Sequence, residues 1–324
     1  MPSRTRIVFC GTPQFAVPTL KHLLASPDFE LLAVITQPDR PRGRGHEVSF
    51  SPVKEVALAA HLAVHQPEKI RATEVQELLE KLSPDFIVII AYGQIVPARL
   101  LHIPKGGWIN LHASLLPKYR GAAPINWAIV NGETQTGLTT MRIDAGMDTG
   151  EILLQHEIEI GPTETSPELA GRMSEAGAQL MEETLRGLAA GNIIPRRQNG
   201  AEATLAPILK KEDGRIDWQR PAQEIFNRMR GFAPWPGAYT TFRKQTCHLW
   251  AEPVSNQVFT TQFSATASVA PGTLFAEKNA LFVFGGSATV LKIQSVKLEG
   301  RKQVSASEFA MGARLKSAER FGDS

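Results

Sequence analysis

Trp108-Ile109-Asn110-Leu111-His112-Ala113-Ser114-Leu115-Leu116-Pro117-Lys118-Tyr119-Arg120-Gly121 is the stretch from which the fold is read. Its first five residues alternate in character. Side chains on a strand point to opposite faces in turn, so Asn110 and His112 share one face. Ser-Leu-Leu-Pro then breaks the strand. Upstream, residues 85–91 form an apolar run of the kind a parallel strand buried on both faces requires. Residues 6–10 and 31–36 read the same way, while 15–24, 53–61 and 72–82 have helical spacing. Strands alternating with helices predict a Rossmann-like α/β domain with a parallel sheet. Ligands of such sheets lie at the carboxyl ends of the strands, where this break falls.

The rest of the chain extends that reading. Residues 122–131 are predicted helical, 137–143 and 151–160 are predicted strands, and 164–188 form a long amphipathic helix. We place a catalytic domain at 1–190, a Gly- and Pro-containing linker at 191–208 and a second domain at 209–324. In the second domain a helix at 221–230 precedes five short strands, near 239–242, 248–254, 272–275, 281–284 and 289–298. Short strands separated by turn signals predict a small β-barrel of OB-like type. Phe232, Trp235 and Trp250 are expected in its core.

Composition excludes several classes. The longest apolar run, 86–92, is far too short for a membrane span, and no signal-peptide pattern opens the chain. A cytoplasmic protein is expected, with Cys10 and Cys247 reduced and packed in or near the core. Neither cysteine has metal-ligand spacing, so no metal is expected. The first strand and helix are joined by Gly11-Thr12-Pro13 rather than Gly-x-Gly-x-x-Gly, which argues against a dinucleotide. Charge is uneven: residues 1–190 carry 17 Lys+Arg against 21 Asp+Glu, and residues 209–324 carry 16 against 10. A basic half beside an acidic half fits a polyanionic partner. Residues 37–52 form a long aperiodic segment bearing Arg40, Arg42 and Arg44. Such segments are often functional, and these arginines suit phosphate contacts.

Asn110 and His112, with an Asp from the turn 144–150, suit acyl transfer to an amine. The Asn110 amide can donate to an oxyanion. His112 can take the proton that an attacking amine loses. A carboxylate can orient the imidazole. Asp144 and Asp148 both compete for that role on spacing alone. Serine in a Gly-x-Ser-x-Gly elbow is absent, and no cysteine lies nearby in sequence, so direct attack without a covalent nucleophile is expected.

Residues 110–117 followed by Tyr119-Arg120-Gly121-Ala122-Ala123-Pro124-Ile125 resemble the signature of the 10-formyltetrahydrofolate-dependent formyltransferases. Phe9-Cys10-Gly11-Thr12-Pro13, Thr36-Gln37-Pro38-Asp39-Arg40-Pro41, Asp213-Gly214-Arg215-Ile216-Asp217-Trp218 and Pro234-Trp235-Pro236-Gly237 extend the resemblance along the chain. It implies 10-formyltetrahydrofolate as co-substrate and methionine on initiator tRNA as acceptor. It selects Asp148, in Met147-Asp148-Thr149-Gly150, as the partner of His112. It also implies folate contacts from Ser114, Leu115, Leu116 and Pro117, a bordering loop at 93–96, and tRNA contacts from Arg44 and, less directly, Arg42. A monomer is expected. The same catalytic set would serve an amino sugar on a nucleotide, or water, as acceptor, and a non-catalytic tRNA-binding module shares the charge pattern.

Overall fold

A computed structural model describes residues 4–42, 47–254, 269–277, 280–316 and 318–322. The chain divides into two compact units. The first comprises Met1–Pro124, Gln135–Glu159 and Glu168–Pro207, and the second comprises Ile125–Thr134, Ile160–Pro167 and Ile208–Ser324.

The first unit is built on a seven-stranded sheet. Its strands are β1 (Thr5–Gly11), β2 (Phe29–Ile35), β5 (Val64–His65), β6 (Phe86–Ile90), β7 (Trp108–His112), β9 (Gln135–Arg142) and β10 (Ile152–Glu159). Their order is β10-β9-β7-β6-β1-β2-β5. The five strands from β5 to β7 are parallel, whereas β9 runs antiparallel to β7 and β10 antiparallel to β9. The sheet is therefore Rossmann-like, as expected, with two antiparallel strands at one edge. All five residues of β6 are buried, which explains its unbroken apolar sequence. Each such Ile or Val contributes roughly 1.5–3 kcal/mol relative to exposure.

Helices α1 (Val17–Ala25), α2 (Pro52–Ala59), α3 (Thr73–Leu82), α4 (Ala98–Leu101) and α6 (Ser166–Ala189) accompany the sheet. Ser51 starts α2: its Oγ accepts from the Lys54 N–H at 3.1 Å, and Pro52 follows where a helix needs no N–H. Arg6 ends α3 by donating to the Leu82 and Ser83 carbonyls at 2.8 and 2.9 Å. Two short paired strands, β3 (Arg40–Arg42) and β4 (Glu47–Ser49), occupy part of the segment read as aperiodic. Pro and Gly among the arginines hide that pairing from a periodicity argument.

Of residues 191–208, read as a linker, all but Ile208 fall in the first unit. Arg196 bridges Ile152, and β11 (Leu205–Ala206) pairs with β8 (Arg120–Gly121).

In the second unit, α5 (Pro124–Val130) and α7 (Ala222–Gly231) meet where Asn126 Nδ2 donates to the Gly231 carbonyl at 2.8 Å. An antiparallel sheet runs β12 (Tyr239–Phe242), β13 (Gln245–Pro253), β16 (Val290–Leu298), β15 (Ala280–Phe284), β14 (Leu274–Glu277), with β17 (Val304–Ser305) on β16. The five predicted strands are all present. A core of Ile225, Phe226, Leu249, Leu291, Phe309 and neighbouring residues lies under α7 and α8 (Ala306–Ala313). Phe232 is 1 % exposed and Trp250 packs edge-on against Phe226. Trp235 departs from expectation: it is 55 % exposed. Composition cannot distinguish an inward from an outward Trp in a Pro-rich turn.

Cys10 and Cys247 are both buried and unpaired, and burial pushes the Cys247 thiol up to about 12. No helix of the described residues is long and apolar enough to cross a membrane.

Candidate active site

The alternation in β7 separates two jobs. Leu111, 3 % exposed, faces α6; a Cβ on Gly177 of that helix would stand 2.5 Å from Leu111 Cδ2. Asn110 and His112 therefore face the other side of the sheet, in register with Met141 and Thr139 of β9. Among the described residues, no hydrogen bond engages the Asn110 amide. His112 is 6 % exposed, and its Nε2 donates to the Tyr119 carbonyl at 2.9 Å. That contact leaves Nδ1 as the basic nitrogen of the neutral ring.

Asp148 reaches this imidazole from the loop between β9 and β10. Ile143 donates to the Trp108 carbonyl at 2.9 Å, and the chain then runs back along β7 to bring Asp148 Oδ2 to 3.7 Å from His112 Nδ1. Asp148 has φ = 54°, a left-handed conformation that Asp tolerates better than most residues. Its Oδ2 also accepts from the Gly121 N–H at 2.8 Å. Asp144, the competing carboxylate, is used locally: its Oδ1 accepts from Gly146 N–H at 3.0 Å and Thr149 Oγ1 at 2.7 Å, a turn-forming role.

The Ser114–Pro117 turn is held from below. Thr139 Oγ1 donates to the Ser114 carbonyl at 2.7 Å and accepts from the Leu116 N–H and Gln155 Nε2, each at 3.1 Å. Gln155 also donates to the Leu116 carbonyl at 2.9 Å. Ser114 Oγ turns inward to the Lys118 carbonyl at 2.6 Å, and Leu116 packs with Met141 and Ile152. Leu115 and Pro117 remain partly exposed. Of the four candidate folate residues, Leu115 and Pro117 are thus partly exposed, whereas Ser114 and Leu116 shape the turn.

Two residues of the segment after α6 complete the arrangement, and no motif signals them. Gln198 Nε2 donates to the carbonyls of Asp148 and Gly150 at 2.8 and 2.7 Å, while its Oε1 accepts from Arg120. Thr204 Oγ1 accepts from the Tyr119 N–H at 2.8 Å, which steadies the carbonyl facing His112. Gly121, at φ = 119°, lies so close to the Ala206 carbonyl that a Cβ would stand 2.7 Å from it.

The neighbouring loops are interlocked as well. Gln37 Nε2 donates to the Tyr92 carbonyl at 2.9 Å. Lys54 Nζ pairs with Asp39, and Gln66 donates to both the Asp39 carboxylate and the Gln37 carbonyl at 2.9 Å. Ile95 is 90 % and Met147 60 % exposed. The backbone of Arg42 lies in β3 opposite Glu47, and Arg44 lies outside the described residues.

The chain falls in a transferase class. Residues 5–185 match the family model "Formyl transferase" and residues 208–314 match "Formyl transferase, C-terminal domain", so the chain belongs to the formyl transferase family. More particularly, it is 51 % identical over 319 residues to a methionyl-tRNA formyltransferase of Solibacter usitatus, covering 98 % of this chain and 99 % of that one. It is 47 % identical to the methionyl-tRNA formyltransferase of Geobacter metallireducens, covering 98 % of each. These findings bear out the family resemblance read from residues 110–125. Solved structures share the fold. A Helicobacter canadensis N-formyltransferase aligns with a TM-score of 0.65 at 18 % identity, over 89 % of this chain and 98 % of that one. HypX from Aquifex aeolicus aligns at 0.62 and 17 %, over 98 % of this chain and 49 % of that one.

Proposed function

We propose that the chain transfers the formyl group of 10-formyltetrahydrofolate to the α-amino group of methionine esterified to initiator tRNA, giving N-formylmethionyl-tRNA. The juxtaposition of Asn110, His112 and Asp148 carries the chemistry. Full-length identity of about half to methionyl-tRNA formyltransferases carries the acceptor.

In this reading the amine nitrogen bonds to the formyl carbon while Asn110 donates to the developing oxyanion. His112 takes the proton from the amine at Nδ1. The resulting imidazolium has both N–H groups facing oxygens, Tyr119 carbonyl at Nε2 and Asp148 carboxylate at Nδ1. Asp148 thus stabilises the charged form in which His112 holds the proton. Return of that proton to the departing folate nitrogen, as its bond to the formyl carbon breaks, balances the step and restores the neutral ring. Leu115, Pro117 and the exposed Ile95 and Met147 supply apolar surface suited to a flat heterocycle, and backbone groups of 93–96 and 114–117 supply polarity. The +6 charge of residues 209–324, with Arg42 and Arg44, meets the phosphates of the tRNA. The enzyme works as a cytoplasmic monomer; sedimentation at the mass of one chain checks that state.

The test offers 10-formyltetrahydrofolate with methionyl initiator tRNA, methionyl elongator tRNA and a nucleotide-linked amino sugar in parallel. Transfer to the initiator, weakening between 50 and 200 mM salt as an order-of-magnitude range, is expected. Transfer to the sugar, or release of free formate alone, overturns the assignment of the acceptor.

A further inference from the structure

The sheet of the second unit presents a cross-strand row that its core does not use. Arg215 bridges Tyr239, Tyr239 pairs with His248, and His248 pairs with Lys297. Directly opposed residues project to the same side of a sheet. The residues flanking this row point the other way: Thr240, Cys247, Leu249 and Val296 are all buried, and Ile216, Ala238 and Leu298 pack against the core. Arg215, His248 and Lys297 are exposed and Tyr239 is half-buried, so the row lies on the outer face. Four segments at strand spacing extend it over roughly 14 Å.

Its chemistry is cation, ring, ring, cation. The Tyr239 and His248 rings are 5.9 Å apart and tilted by 51°, so neither covers the other's face. Among the described residues, neither Arg215 nor Lys297 makes an ion pair. On the Lys297 strand, Glu299 lies two residues further along, its N–H donating to the Thr246 carbonyl, and beside Arg215 the Asp213 carboxylate accepts from the Lys210 N–H at 2.7 Å. The turn at Gly237 passes beside the row. The Gly237 N–H donates to the Phe232 carbonyl at 2.9 Å to close its turn, and a Cβ on Gly237 would lie 3.8 Å from His248 Nδ1. At the Arg215 end, a groove of about 380 Å³ has Arg320 on its wall. Asp217 also lines it but faces Arg220 at 3.4 Å and accepts from the Gln219 N–H at 3.0 Å.

We propose that this face, from Arg215 through Tyr239 and His248 to Lys297, is a stacking site for unpaired nucleotides of an RNA. The rings take base faces and the terminal cations take phosphates, a combination that tolerates any base. An acidic peptide would use the cations but has no use for two uncovered rings in line. The inference deepens the proposed function and rests on its RNA acceptor. What it adds is that single-stranded rather than duplex RNA is held here.

The experiment uses the full chain and a single-stranded hexaribonucleotide carrying 2-aminopurine, with the same sequence in duplex form and a polyglutamate peptide as competitors. Quenching of 2-aminopurine by the single strand is expected. Tyr239→Leu and His248→Ala should each weaken binding about five- to a hundred-fold, while Tyr239→Phe, which keeps the ring, retains it. Lys297→Gln should lower the salt slope by about 0.7. Unchanged affinity in the Tyr239→Leu/His248→Ala double variant with an unaltered melting curve overturns the inference, as does equal binding of the duplex without quenching or equally strong competition by polyglutamate. Should that double variant bind normally while the protein formylates initiator tRNA, this inference alone falls. Ring-dependent binding without formylation of any tRNA retains the face and overturns the acceptor.

Discussion

Replacing Asp148 by Asn isolates one physical quantity, the carboxylate charge beside His112. The exchange changes almost nothing else. Asn accepts the left-handed backbone at φ = 54°, and its amide oxygen can still accept from the Gly121 N–H. The charge acts across 3.7 Å on an imidazole that is 6 % exposed. At an effective dielectric near 20, unit charges at about 4 Å attract by about 4 kcal/mol. Asp148 is partly solvated, so about half of that or more survives, roughly 2–4 kcal/mol in the state where His112 carries the proton. This corresponds to a fall in kcat of about 30- to 1000-fold. Single-turnover formyl transfer with saturating donor reads the chemical step directly, and a thermal melt checks the fold. A loss of less than about three-fold with an unchanged melt would refute the reasoning, because the imidazolium would then need no countercharge.

Other substitutions probe neighbouring parts. Asn110→Ala should lower kcat by about 10²–10³ with KM little changed, and a rise in KM at constant kcat would show a binding role instead. Thr139→Val keeps shape but strands the buried Leu116 N–H; urea denaturation should show a loss of about 1–3 kcal/mol. The hydrogen bond from Lys54 holds the Asp39 carboxyl below the ordinary carboxylate range. A lowered folded value means stabilisation is complete above the unfolded pKa, near roughly 3.9, and is lost as pH falls through the folded one. Lys54→Met should flatten that acid limb of stability measured by denaturant titration, and an unaltered limb counts against the pair.

What could be read in advance follows from range. Asn110 and His112 are two residues apart on one strand, so a period of two suffices to place them together. Asp148 is 36 positions from His112, and Asp144 competes with it on spacing alone. Resemblance to a family, rather than periodicity, separated them. Gln198 and Thr204 lie 50 and 85 positions from the backbone groups they hold and belong to no local pattern. Trp235 was expected inside because large aromatics usually are, yet the short turn that carries it turns its ring outward. The pairing of β3 with β4 escaped because arginine, proline and glycine carry little strand signal.

The clasp that Gln198 makes on the Asp148 and Gly150 carbonyls has a bearing on how the molecule can be cut. A fragment ending with the last long helix of the first unit, at Ala189, would keep Asn110, His112, Asp148 and the Gly121 N–H that holds the aspartate, yet lose both Gln198 bonds and the Ile152–Arg196 bridge beside its loop. A fragment that keeps this latch therefore runs past Gln198, and loss of activity on cutting at Ala189 would report a missing latch rather than a missing reagent.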